Sequence, residues 1–275
     1  MSAPGDLRAA GMLGRMTLGM PHLSPSGLAE DWVLREGGDR HWAMLSRAMG
    51  RAEGAFEDAQ GRPLYAAFCA TELAMDPRDG LGAALLGAEL SLRSTLGRVS
   101  AGRIGSEHVL SARGRAVARL RMISAFVAHD PRAGRLAARP PAAAIAPPPA
   151  GPGLMALGAA AGREARRLRA APPPVPQAVL HPCPERDFNA VGLLYFPAYS
   201  ALAAAALRRG AGRGAGPFAR VRARRVVYLG NPAAGAAVRA ASAASGRRAR
   251  TVLHAPCGAP LAAATTLATA PAPGG

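Results

Sequence analysis

Read for the spacing of its apolar residues, the chain divides into two halves of similar order, each a helix followed by several strands. In the first half Trp42, Leu45 and Met49 recur at helical spacing. Gly37 and Gly38 loosen the chain ahead of them, Asp39 offers an N-cap side chain and Gly50 ends the run. The pattern therefore predicts a loop and then a helix opening at Asp39. After it, "RPLYAAFCATEL", "LGAELSLRSTLGRVSAGRIGSEHVLSAR" and "RAVARLRMISAFVAHD" read as extended segments between turn residues, the last with the clearest two-residue alternation.

The second half repeats the order. In "DFNAVGLLYFPAYSALAAAALRRG" a loop leads to Pro197, which suits a first helical turn. Tyr199, Leu202, Ala206 and Leu207 form the expected buried stripe, Arg208 and Arg209 suit the negative end of the helix dipole, and Gly210 stops it. "FARVRARRVVYLGNPAAGAAVRAASA" and "RRARTVLHAPCGAPLAAATTLATA" then read as antiparallel strands, with Asn231-Pro232 marking a turn. Between the halves, 132–177 is rich in Pro, Ala and Gly and reads as a partly extended linker, with room for a short helix around "REARRLRA". The expected organisation is thus one domain over 12–131, the linker over 132–177 and a second domain over 178–275. The fold class is α+β, each half a long helix wrapped by a curved antiparallel β-sheet. The alanines at 203–206 would let a sheet close tightly around the second helix.

Composition changes this picture little. The formal charge is +17 and the pI about 11.6, values that ordinarily suggest nucleic acid. All the basic side chains are arginine, however, and aromatics make up only 4% of the chain. The charge reads as chain-wide residue usage rather than a designed nucleic-acid surface, and stacking platforms are scarce. The absence of lysine excludes Schiff-base, phosphate-loop and lysine-base chemistry. Cys69, Cys183 and Cys257 are odd in number and widely spaced, which argues against a disulfide framework and against a zinc site. His181 and Cys183 read as loop residues, and no metal is expected. No signal peptide and no membrane-spanning stretch is legible, so a cytoplasmic location is the expectation.

Asp187 stands out by subtraction. No Asp or Glu follows it, whereas eleven arginines do. Two readings stay open. In the local one Asp187 and Asn189 accept backbone N–H groups in turns. In the chemical one the helix mouth after them polarises a carbonyl oxygen, Gly192 lets a ligand approach the backbone, and the carboxylate acts as base or nucleophile on a thioester or orients a water. Gly38, Asp39 and His41 mark the corresponding mouth in the first half, where His41 faces either a ligand or, more simply, solvent. Ser106, Glu107 and His108 are adjacent, but strand neighbours point to opposite faces, which argues against a hydrolytic triad.

The stretch "DFNAVGLLYFPAYSALAAAALRR" resembles the loop-and-helix signature of hot-dog-fold proteins acting on acyl thioesters. More narrowly, together with "GMPHLSPSGLAEDWVLREGGDRHWAMLSRAMG" and "GRPLYAAF", it is similar to the LnmK family of acyltransferase/decarboxylases from polyketide biosynthesis. Ala190 stands where that motif leads one to expect glycine. The resemblance implies a double hot-dog and a reaction that loads and decarboxylates methylmalonyl-CoA, passing propionyl to an acyl carrier protein. It implies a catalytic tyrosine, placed at Tyr65, with Asp187 beside the thioester and Asn189, Val191 and Gly192 in the substrate wall. No cofactor is implied, since CoA or phosphopantetheine arrives with the substrate. The partners implied are an acyl-CoA and an acyl carrier protein, with a homodimer as a further option and neither nucleic acid nor membrane. A plain acyl-thioester hydrolase and a catalytically inactive acyl- or carrier-binding module are the alternatives.

Overall fold

The computed structural model describes residues 11–51, 54, 56–78, 81–130, 135–143, 145–210 and 220–269. Its main strands are β1 (Gly11–Thr17), β2 (Pro63–Met75), β3 (Glu89–Ser100), β4 (Arg103–Ala112) and β5 (Arg115–Asp130) in the first half. In the second half they are β6 (Ala178–Leu180), β7 (Val221–Tyr228), β8 (Val238–Ser245), β9 (Arg248–His254) and β10 (Pro260–Ala268). Three long helices accompany them: α1 (Glu30–Ala48), α2 (Pro152–Ala170) and α3 (Phe196–Gly210).

The strands form one antiparallel sheet in the order β1-β3-β4-β5-β2-β7-β10-β9-β8-β6. Phe56–Glu57 pairs with β2, and Arg135–Ala138 pairs with β5. The two halves meet edge to edge at β2 and β7, with Ala70 opposite Val227, Glu72 opposite Arg225 and Ala74 opposite Ala223. Closing each half's edge strand against the other removes two unpaired edges at once. The alternation expected in β5 is present: Leu120 and Met122 are fully buried against α1's core, while Ile123 packs on the opposite face.

Two expectations need correction. First, α1 begins nine residues before Asp39, at Glu30. Gly37 and Gly38 lie inside it and are buried, so they do not loosen the chain, and Asp39 caps nothing. A Cβ on Gly37 would stand 2.3 Å from Leu120 Cδ2, and one on Gly38 2.9 Å from two ring carbons of Phe196. Glycine costs a helix interior about 1 kcal/mol per residue. Here that cost is set against the close approach of α1 to β5 on one side and to the start of α3 on the other.

Second, the Pro/Ala-rich segment 132–177 holds the 19-residue helix α2. Leu154, Leu157, Ala161 and Leu168 are its buried stripe, against the outer face of the sheet beside Ala70, Ile123, Val227, Val252 and Ala263. Pro152 near the start of α2 suits a helix opening, as Pro197 does in α3. The described helices include none long and apolar enough to cross a membrane.

Candidate functional site

The loop before α3 is built by its own polar side chains. A one-turn helix, Pro184–Asp187, ends in a carboxylate that is already engaged. Asp187 Oδ2 accepts the Cys183 N–H at 2.7 Å, and Arg186 donates to Oδ1 from Nε at 2.9 Å and to Oδ2 from Nη2 at 3.0 Å. These bonds, Arg186 first, hold the Asp187 carboxyl below the usual range, and the side chain is buried. Asn189 Oδ1 accepts the N–H groups of Val191 and Leu193. The Asn189 carbonyl takes the Gly192 N–H at 2.9 Å. Gly192 has φ +75°, a left-handed conformation that glycine adopts freely. Asn231 clamps Leu194 from the second half's sheet, accepting its N–H at 2.9 Å and donating to its carbonyl at 3.2 Å. The local reading of Asp187 and Asn189 describes their contacts.

This loop also takes up two of the backbone donors near the helix mouth. Tyr195 N donates to the Asp187 carbonyl at 2.7 Å, Ala198 N donates to the Tyr195 carbonyl at 2.9 Å, and Pro197 has no N–H. The other expected mouth, around Gly38 to Trp42, is mid-helix, where backbone N–H groups belong to the helix ladder.

The loop nevertheless meets α1 across the seam between the halves. The Phe196 ring lies 4.4 Å from that of Phe68 on β2 and presses against Gly38. The Arg35 guanidinium stands 5.1 Å from the centre of the Tyr195 ring, and Arg35 Nε donates to Asp31 at 2.8 Å. Arg35 also senses Asp187. One helical turn on, Asp39 is open to solvent and makes no hydrogen bond or ion pair among the described residues. Crowding by surrounding protein raises its carboxyl pKa, and Arg35 partly offsets this. Burial, and then the Asp39 charge, push the Tyr195 hydroxyl up to about 12, so it stays protonated and able to donate. Gly38, Asp39 and Asp187 are therefore brought to one seam, while the contacts of Asn189, Val191 and Gly192 lie within the loop itself. Arg35, Tyr195, Phe68 and Phe196 complete it.

Two expected site residues lie elsewhere. Tyr65 is on β2, three residues before Phe68, roughly 10 Å along the strand. It is half-buried and opposite Val127, and its side chain alternates with those of Leu64 and Ala66, which face the core. His41 is corrected from a ligand-facing or solvated histidine to a fully buried one. Its Nδ1 is 2.7 Å from Ser106 Oγ and its Nε2 2.8 Å from Ser124 Oγ. Ser106 continues to His108 Nε2 at 2.8 Å, His108 Nδ1 to Ser94 at 2.8 Å, and Ser94 receives Arg40 Nε at 3.0 Å. Burial forces both imidazoles down to about 3, so both are neutral at pH 7. Sequence spacing carried no sign of this chain beyond Ser106 and His108 sharing a strand face.

The opposite end of the seam is closed. Glu30, the first residue of α1, receives Arg224 Nη1 on both carboxylate oxygens at 2.7 Å. Arg224 is buried on β7 and also donates to Thr266 Oγ1 and to the Ser200 carbonyl. One end of the seam is thus tied by an ion pair, while the other carries a carboxylate without a hydrogen-bond partner among the described residues.

No protein-family model matches this chain, and no curated protein does. Solved structures do. An acyl-ACP thioesterase from Bacteroides thetaiotaomicron superposes with a TM-score of 0.63 at 9% identity, covering 95% of this chain and 99% of that one. A 12:0-ACP thioesterase from Umbellularia californica gives 0.63 at 12% identity, covering 95% and 98%. An oleoyl thioesterase from Lactobacillus plantarum gives 0.60 at 11% identity, covering 98% and 99%. At these identities the likeness is one of fold, and the large antiparallel sheet with its few helices fits a hot-dog fold.

Proposed function

We propose that this protein is an acyl-thioester hydrolase of double hot-dog build, acting at the seam between α1 and the loop that opens α3. The observation that carries the reading is Asp39. It is an unpaired, solvent-reached carboxylate with a raised pKa, one turn from Arg35 and within electrostatic reach of the Tyr195 hydroxyl, which stays protonated. A general base needs access, freedom from a competing partner and a pKa moved toward neutrality. Asp39 meets these conditions better than Asp187, whose oxygens are occupied and whose pKa is depressed.

In this mechanism the Asp39 carboxylate takes a proton from water as the water oxygen bonds to the thioester carbonyl carbon. Tyr195 O–H donates to the developing oxyanion, in the manner of an oxyanion hole. The tetrahedral intermediate collapses with cleavage of the C–S bond, and the departing thiolate takes the proton back from Asp39. Asn189, Val191 and Gly192 hold the acyl wall, and Phe68 and Phe196 supply its apolar floor. The acyl group arrives on CoA or on an acyl carrier protein, so no resident cofactor takes part. The fold shared with three proteins described as thioesterases supports the substrate class.

A second reading, decarboxylation of a malonyl-type thioester with transfer to a carrier protein, is favoured by the "DFNAVGLLYF" resemblance. It assigns the chemistry to Tyr65, on the far stretch of β2. Mass spectrometry of products separates the readings. Free acid and free thiol from several acyl-CoAs, and free methylmalonate from methylmalonyl-CoA, support hydrolysis. Carbon dioxide with propionyl-carrier supports transfer. No turnover of any acyl-CoA or acyl-carrier substrate removes both.

A further inference from the structure

The outer face of the sheet carries a second candidate site, independent of the thioester reading. α2 packs on that face, and between it and strands β7 and β10 lies a groove of about 320 Å³. Arg163 and Arg167, one helical turn apart on α2, line it together with Arg225 on β7 and Thr265 on β10. Glu164 also faces the groove, but Arg250 neutralises it with two donors. Arg225 is partly neutralised by Glu72. Arg163 and Arg167 make no hydrogen bond or ion pair among the described residues, and both are exposed.

Several arginines of the outer face are matched by acids: Arg121 by Glu72 and Glu107, Arg225 by Glu72, Arg250 by Glu164. Favourable interaction with the helix dipole explains Arg167 and Arg169 in the last turn of α2, but not Arg163 a turn earlier. Like charges at i and i+4 repel. Arg225 adds a third guanidinium across the groove.

We propose that this groove binds a phosphoryl anion, a diphosphate or the phosphate-bearing head of a larger ligand. Guanidinium forks suit phosphate, which offers several oxygens to several donors, whereas a carboxylate offers two. The Thr265 hydroxyl supplies a further donor at the rim. The volume falls at the lower end of small-ligand pockets and admits more than one phosphoryl group.

The test is isothermal titration of the full chain with pyrophosphate and, separately, with CoA, at two salt concentrations. The variants are R163Q/R167Q and, as a charge-matched control, R208Q/R222Q, which alters two exposed arginines outside the groove. All four side chains lack protein partners among the described residues, so folding should be preserved. The expected result is saturable pyrophosphate binding that weakens at least tenfold in R163Q/R167Q and less than twofold in the control. A parallel loss of CoA affinity identifies the nucleotide head of a thioester as the source of the anion. Loss for pyrophosphate alone identifies a free anion. Equal weakening in both variants, or absence of saturation, overturns the site.

Discussion

The two halves wrap a helix in the same kind of sheet but bring helix and sheet together by different chemistry. In the second half the contact is apolar: Ala203, Ala206 and Leu202 on α3 pack with Val226, Ala240, Leu253 and Ala262. Alanine makes close approach inexpensive, because it costs no side-chain entropy in a helix. In the first half two mid-helix glycines bring α1 close, and a buried line of Ser and His bonds it to β3, β4 and β5. A polar chain of this kind fixes one rotation of the helix, since each donor must meet its acceptor, whereas an alanine face tolerates sliding. The half that fixes its helix is the one whose helix presents Asp39 to the seam.

The largest effect should come from cutting the polar chain. His41→Leu strands the Ser124 hydroxyl in the core and leaves Ser106 with His108 alone; a buried polar group without a partner costs about 1–3 kcal/mol and a lost hydrogen bond about 1 kcal/mol. Chemical denaturation should therefore show a loss of roughly 2–4 kcal/mol. The matched change in the second half, Tyr199→Phe, removes one bond to the Gly230 carbonyl at 2.7 Å and should cost about 1 kcal/mol. Similar losses in both would erase the contrast.

Acid should act next, through the two buried histidines of the first half. His41 and His108 have folded-state pKa values near 3, well below the ordinary 6.5. The unfolded chain therefore binds more protons below pH 6.5, and stability falls as pH drops through the window from 6.5 towards 3. Each histidine contributes about 1.4 kcal/mol per pH unit within it. Unfolding free energies at pH 7, 6 and 5 would show this slope, and replacing both histidines should flatten it.

A smaller effect is expected from Gly37→Ala, whose new methyl meets Leu120 at 2.3 Å and should cost about 1–3 kcal/mol through overpacking. Ala203→Gly on α3 should cost about 1 kcal/mol in helix propensity. The opposite preferences for glycine at matched depths would show up as a lowered melting temperature in both single variants.

How much of this was legible in the sequence follows the same division. α3 lies where Pro197 and Gly210 predicted it, and Tyr199, Leu202 and Ala206 form its buried face. Local rules sufficed there because the packing is apolar and periodic. They failed for α1, where glycine was read by its intrinsic preference although tertiary packing decides its position. They failed for α2, whose stripe of Leu154, Leu157, Ala161 and Leu168 was obscured by flanking prolines. The chain through residues 41, 94, 106, 108 and 124 draws on α1 and three strands, so no window of sequence contains it. The Asp187 motif located the loop, but only the geometry shows its oxygens occupied and Asp39 free.

The central claim is that Asp39, not Asp187, carries the chemistry at the seam. Single-turnover hydrolysis of an acyl-CoA by Asp39→Asn and by Asp187→Asn tests it directly. The account predicts that Asp39→Asn lowers the chemical rate about 10²–10⁴-fold, as expected for loss of a general base. Its stability should be unchanged, because the side chain has no partner to lose. Asp187→Asn should lower stability and leave the rate within about tenfold. An Asp39→Asn variant at near-native rate, or an Asp187→Asn variant that folds normally but is inactive, would contradict the assignment.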